Sequence, residues 1–169
     1  MHLNSNEQVR KKADKITKEY HSRNADTLAR ALGITIMERD DFKKQKGAYV
    51  VIERNRYIFL KSDLPEPLRS IVILHEIGHD QLHRKEAKTF HEFSLFDMTG
   101  NTMEYEANLF AAHIMLPDQE LIEYIKQGYS VAQIAGLMNS DINLVALKAA
   151  DLSTRGLNLK IPDHRKNFL

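Results

Sequence analysis

The segment His75-Glu76-Ile77-Gly78-His79 holds the residues whose spacing most directly specifies chemistry. On a helix, side chains four residues apart share a face with Cβ atoms about 6 Å apart. His75 and His79 can then both turn an imidazole nitrogen to one Zn²⁺ at about 2.0–2.1 Å. Glu76 sits one residue on, rotated to the side of that face, where its carboxylate can take a proton from an activated water without ligating the ion. Two ligands and a general base from one helical turn are the physical content of the H-E-x-x-H pattern. The chain has 8 histidines, so chance could produce the pattern, and a lone histidine on an apolar helix is usually a satisfied core residue. Here the run Ile71 to Ile77 is apolar on nearly every side. Three ionisable groups in so buried a helix are expensive without a compensating partner, and a metal ion is one.

A catalytic zinc normally has three protein ligands and one open position, so a third ligand must come from elsewhere. The candidate helix after Gly100 reads Met103-Glu104-Tyr105-Glu106-Ala107-Asn108-Leu109-Phe110. Glu104 and Asn108 share one face beside the apolar set Met103, Ala107, Phe110 and Ile114, whereas Glu106 falls with Leu109 and His113. Glu104 is thus the better aimed carboxylate, with Asn108 one turn on to orient a ligand. Against this, Asn101-Thr102-Met103-Glu104 has the form of a capping box, in which Glu104 would only close the first turn. His83 lies one further turn along from His79, about 6 Å up the axis and too far to join the same ion.

These residues need elements to position them. Val9, Ala13, Ile16 and Tyr20 recur at helical spacing, and Asn24 can cap a second short helix ended by Gly33. Ile34 to Met37, Ala48 to Glu53 and Tyr57 to Lys61 are rich in β-branched and aromatic residues, the last two forming a hairpin across Arg54-Asn55-Arg56. Pro65 and Pro67 open the helix from about Leu68 to His83. Helices are expected over Thr102 to Leu116, Asp118 to Gln127, Ser130 to Met138 and Ile142 to Leu152, with a less regular segment from Arg84 to Gly100. The fold class is therefore α+β, a small, mainly antiparallel sheet packed on a central helix, with a C-terminal helical part.

The 169 residues suit one domain, perhaps with a small appendage, and 43% hydrophobic with 28% charged residues is ordinary for a globular chain. A net charge of +1 says nothing about partners, and the absence of cysteine leaves His, Asp or Glu to hold any metal. Met1 to Arg10 is polar, with no apolar run to suggest a signal peptide, so a cytoplasmic protein without a membrane segment is expected.

His-Glu-Ile-Gly-His, followed about 25 residues later by Glu104-x-Glu106-Ala107-Asn108-x-Phe110-Ala111 and then Ile114-Met115-Leu116-Pro117, resembles the ImmA/IrrE-type metallopeptidases. The likeness runs from about Asn24 to Ala150, and the two helical motifs at their mutual spacing are its most specific part. It implies a zincin-like domain, expected over residues 1–127; the residues beyond it read as a helix-turn-helix-like appendage packed on that domain over 128–152 and a basic tail over 153–169. It also implies that the first Glu of the second motif, Glu104, completes a zinc site with His75 and His79, leaving Glu106 as the fallback. The chain departs in Ile-Met-Leu-Pro, where family members often have Leu-Leu-Met-Pro, an apolar exchange that does not touch the metal. The implied activity is zinc-dependent endopeptidase cleavage of a transcriptional repressor of a mobile element or stress response.

In such a site Glu76 accepts a proton from water and passes it to the departing amine. His91, Tyr105, His113 and His164 are all candidates to stabilise the oxyanion, and the sequence does not choose among them. The strand Tyr57 to Lys61 either binds an extended substrate by strand addition or simply closes the core sheet. Phe90, Phe93 and Phe96 either line a pocket or anchor the core. The alternative to an enzyme is a protein- or DNA-binding regulatory module with a zinc-stabilised, non-cleaving site. Ser130 to Leu152 has the outline of a helix-turn-helix, but its second helix offers only Lys148 as a base or phosphate reader, so direct nucleic-acid contact is not expected.

Overall fold

The computed structural model describes residues 2–85 and 102–157. Helix α1 (His2–Tyr20) buries Val9, Ala13 and Ile16 at helical spacing and packs along the later helix α4 (Thr102–Met115). Asn24 caps α2 (Ala25–Ala31), its Oδ1 accepting the Thr27 backbone N–H at 2.9 Å. Gly33, with φ +70°, then turns the chain into β1 (Ile34–Arg39), a left-handed conformation that glycine adopts without steric cost.

Strands β2 (Gly47–Ile52) and β3 (Asn55–Lys61) form the expected hairpin. Ile52 faces Asn55, so the turn is the two residues Glu53-Arg54, both at positive φ, and is tighter than the sequence suggested. No Asn-Gly or Asp-Gly marks it, which is why its position was hard to read. β1 adds to the other side of β3 in parallel, Ile34 opposite Arg56, giving the order β1-β3-β2. The connection from β1 to β2 passes the end of β3. There the Lys61 N–H donates to the Lys46 carbonyl at 2.9 Å and the Ser62 N–H to the Arg39 carbonyl at 3.3 Å. The α+β architecture expected from the sequence is thus present, with the small sheet mixed and the hairpin as its antiparallel half.

Helix α3 (Leu68–Leu82) is the centre of the molecule, with every residue from Ile71 to Asp80 buried. It touches α2, β2 and β3 on one side and α4 on the other. Pro117 ends α4, and α5 (Asp118–Lys126), α6 (Val131–Leu137) and α7 (Ile142–Thr154) follow. Ser130 and Gln133 close a capping box on α6, and Asp141 accepts the Asn143 N–H at 2.7 Å to start α7. Val131, Ile134, Leu144, Val145 and Leu152 of these helices belong to the same apolar cluster as Val9, Ile58 and Ile73. Among the described residues no helix is long and apolar enough to cross a membrane.

Candidate metal centre

Glycine decides how closely α3 and α4 approach. A Cβ on Gly78 would lie 3.0 Å from the Ala107 Cα and 3.2 Å from its carbonyl oxygen, so only a residue without a side chain lets the backbones meet there. That contact sits three residues beyond Glu104 on α4 and between the two histidines on α3. It carries Glu104 onto the face where His75 and His79 stand.

The three side chains converge. His75 Nε2 and His79 Nε2 lie 3.1 Å apart; Glu104 Oε2 is 3.2 Å from the first and Oε1 is 3.1 Å from the second. Their donor atoms all fall within 4.8 Å of one another, and all three residues are buried. A tetrahedral cation with ligands at about 2.0–2.1 Å holds them about 3.3–3.4 Å apart, close to these separations. Both Glu104 oxygens are buried without a hydrogen-bond partner, so the carboxylate does not close the first turn of α4 as a capping box would. Burial pushes the Glu104 carboxyl up, but the adjacent His75 and His79 outweigh it and hold it down at about 2. Burial, aided by the neighbouring His75 and His83 and opposed by Glu104, holds the His79 imidazole down at about 4, the neutral form that a ligand must have. An ionised carboxylate with no hydrogen-bond donor, facing two imidazole nitrogens, is a donor set that suits a divalent cation.

Partners on α4 orient these groups. His75 Nδ1 lies 2.8 Å from Asn108 Oδ1, and since an amide oxygen can only accept, Nδ1 carries a proton, which leaves Nε2 as the nitrogen that could offer a lone pair to a cation. His79 Nδ1 lies 3.2 Å from His83 Nδ1, and His83 Nε2 lies 2.8 Å from Glu106 Oε2. Glu106 therefore stands behind the cluster rather than in it, and His83 touches His79 rather than the donor triangle.

Glu76 is 7% exposed at the side of this face. Burial, with the nearby Glu104 carboxylate, pushes its carboxyl up to about 7, opposed by His75 and by a hydrogen bond from the Tyr49 backbone N–H. β2 holds it: a Cβ on Gly47 would meet Val72 Cγ1 at 2.5 Å and Glu76 Oε1 at 3.0 Å. The strand thus approaches the carboxylate as closely as backbone can. Beside it, the side chain of Asp80 has no exposure and accepts from Tyr49 Oη at 2.6 Å, Arg56 at 3.0 Å and Arg84 at 3.1 Å. Sequence reasoning passed over Asp80, although an acidic residue inside the most buried stretch of a chain signals just such a hub.

Other expectations resolve differently. Tyr105 Oη accepts from Asn6 Nδ2 at 3.0 Å, turned towards α1. His113 lies nine residues beyond Glu104, about 13.5 Å along the helix, where it bonds Lys148. Neither stands at the donor triangle. His91, His164, Phe90, Phe93 and Phe96 fall outside the described residues. β3 has both edges paired, so it closes the sheet and cannot add a strand; among the described residues β1 and β2 are the edges. Lys148 is fully buried and pairs with Asp118 at 2.5 Å, which removes the side chain that a nucleic-acid-reading α7 would have used.

A family model described as the IrrE N-terminal-like domain matches residues 29–146. The chain is 31% identical over 146 residues to "Uncharacterized immunity region protein 2" of Bacillus phage phi105, covering 86% of this chain and 90% of that one. It is 38% identical over 74 residues to "Metallopeptidase ImmA" of Bacillus subtilis (strain 168), covering 42% of this chain and 43% of that one. The match takes in both the helix bearing His75, Glu76 and His79 and the helix bearing Glu104, and this chain belongs to the metallopeptidase family of the IrrE N-terminal-like domain.

Proposed function

We propose that this chain is a cytoplasmic zinc-dependent endopeptidase that cleaves a transcriptional repressor of a mobile element or stress response. The observation that carries the reading is the buried triangle of His75, His79 and Glu104 beside the carboxylate of Glu76. The immunity-region name of the phage relative and the name of the Bacillus subtilis relative support a peptidase in a mobile-element setting.

His75, His79 and Glu104 would hold Zn²⁺, which supplies Lewis acidity that polarises a scissile carbonyl and makes water a stronger acid. Asn108 keeps the proton of His75 on Nδ1. Glu76, held by the Tyr49 N–H, accepts a proton on its carboxylate as water attacks and delivers it to the departing amine nitrogen. The apolar walls contributed by α3 and α4 limit water around the carboxylate.

Co-expression with the candidate repressor tests the reading. Wild type gives a specific cleavage product, Glu76→Gln binds zinc yet gives none, and His75→Ala loses both. Full cleavage by either variant overturns the assigned roles.

A further inference from the structure

Resting on that reading of the metal centre, we propose that Glu106 and His83 form a positioning line that fixes His79 as a ligand, with Ser5 of the N-terminal helix as its anchor. The two ligand imidazoles are buttressed differently. His75 leans on one neutral amide, Asn108 Oδ1 at 2.8 Å. His79 leans on a second imidazole, His83 Nδ1 at 3.2 Å, and that ring meets a carboxylate, Glu106 Oε2 at 2.8 Å. The other oxygen of Glu106 accepts from the Ser5 hydroxyl.

Each link constrains the next. His79 Nε2 faces Glu104 and His75, so as a ligand it carries its proton on Nδ1 and donates it to His83 Nδ1. His83 Nδ1 must then accept, which places the His83 proton on Nε2. That nitrogen is the one facing Glu106, where an anionic acceptor favours the same tautomer. Glu106 has both oxygens occupied, one by His83 and one by Ser5, so it is held for this task. The opposite tautomer of His83 would leave His79 with its proton on Nε2, pointing into the donor triangle, and would break the contact with Glu106. The line is buried at His83 and half-buried at Glu106.

Ser5 lies outside the span matched by the family model, residues 29–146. Helix α1 nonetheless packs along α4 and supplies both Ser5 to Glu106 and Asn6 to Tyr105. The N-terminal helix is thereby built into the support of the metal centre.

The test measures Zn²⁺ affinity by chelator competition in wild type, His83→Phe, Glu106→Gln and Ser5→Ala, with ¹⁵N-histidine spectra of the zinc-loaded protein. Removing such outer partners typically weakens metal binding by about 10–100-fold. His83→Phe should lie near the upper figure and Glu106→Gln, which keeps shape and an acceptor but not the charge, near about tenfold. Ser5→Ala should lose less than either. Spectra should show His79 protonated on Nδ1 and His83 on Nε2, a signature that mere packing would not impose. If His83→Phe does not fold, the near-isosteric Glu106→Gln and the wild-type spectra still decide. Unchanged affinity in Glu106→Gln, or a His83 proton on Nδ1, overturns the line while leaving the metal centre standing. Failure of wild type to bind one Zn²⁺ overturns both.

Discussion

The Cα of Ala107 lies where a side chain at Gly78 would need to go, 3.0 Å from the position of a Cβ. This contact sets the separation of the helices that carry the two histidines and Glu104. Gly78→Ala gains up to about 1 kcal/mol of helix propensity. It also forces α4 backbone to shift, and such overpacking costs about 1–3 kcal/mol. Because the obstructing atoms are backbone, overpacking should win. The expected result is a net loss of stability on the order of 1 kcal/mol in denaturant unfolding, together with weaker zinc binding. A variant that gains stability and keeps wild-type zinc affinity would contradict this account of the helix contact.

Gly47 plays the matching part on the sheet side. A Cβ there would meet Val72 Cγ1 at 2.5 Å and Glu76 Oε1 at 3.0 Å. Gly47→Ala should displace the Glu76 carboxylate while leaving the donor triangle intact. Cleavage should fall by at least tenfold with zinc stoichiometry retained, the range in which general-base contributions of about 10²–10⁴ are partly lost. Zinc content and cleavage rate measured on the same preparation check this, and a parallel loss of both would place the damage at the ligands instead.

Asn108→Ala removes the oxygen that holds the His75 proton on Nδ1. Zinc affinity should fall by about 10–100-fold. Asn108→Asp keeps an acceptor at the same place and should restore most of it. Equal losses in the two variants would mean that Asn108 acts through packing alone.

Much of this centre could be read along the chain because its parts are local. His75, Glu76 and His79 lie within one helical turn, where spacing alone fixes geometry. Glu104 was legible as the carboxylate on the apolar side of its helix, yet the capping-box alternative stood until both its oxygens proved to lack a hydrogen-bond partner. What escaped the sequence is long-range. Ser5 meets Glu106 across 101 residues and Asn6 meets Asp151 across 145, and no periodicity encodes such pairs. The parallel pairing of β1 depends on how residues 40–46 pass the end of β3, not on the strand itself. Lys148 looked like a surface reader because lysine is seldom buried; only Asp118 and His113, arriving from other parts of the chain, make its burial tolerable.

That ion group carries a pH prediction. Burial pushes the Asp118 carboxyl up, but Lys148 and Arg155 outweigh it and hold it at about 2, below the ordinary carboxylate value near 3.8. A depressed folded value stabilises the protein above the unfolded value, and this contribution is lost as pH falls from about 4 towards 2. Unfolding measured across that window should show a steeper loss for wild type than for Asp118→Asn. At neutral pH, Asp118→Asn should cost more than Lys148→Met. The first strands a buried ammonium, whereas the second leaves Asp118 paired with Arg155 at 2.6 Å. The reverse order would show that Lys148 is not dependent on Asp118.

The central claim is tested most directly by anomalous diffraction at the zinc edge on crystals of the zinc-loaded protein. The account predicts one strong peak at about 2.0–2.2 Å from His75 Nε2, His79 Nε2 and an oxygen of Glu104. A peak coordinated by Glu106 or His83 instead, or no peak between the two imidazoles, would contradict it.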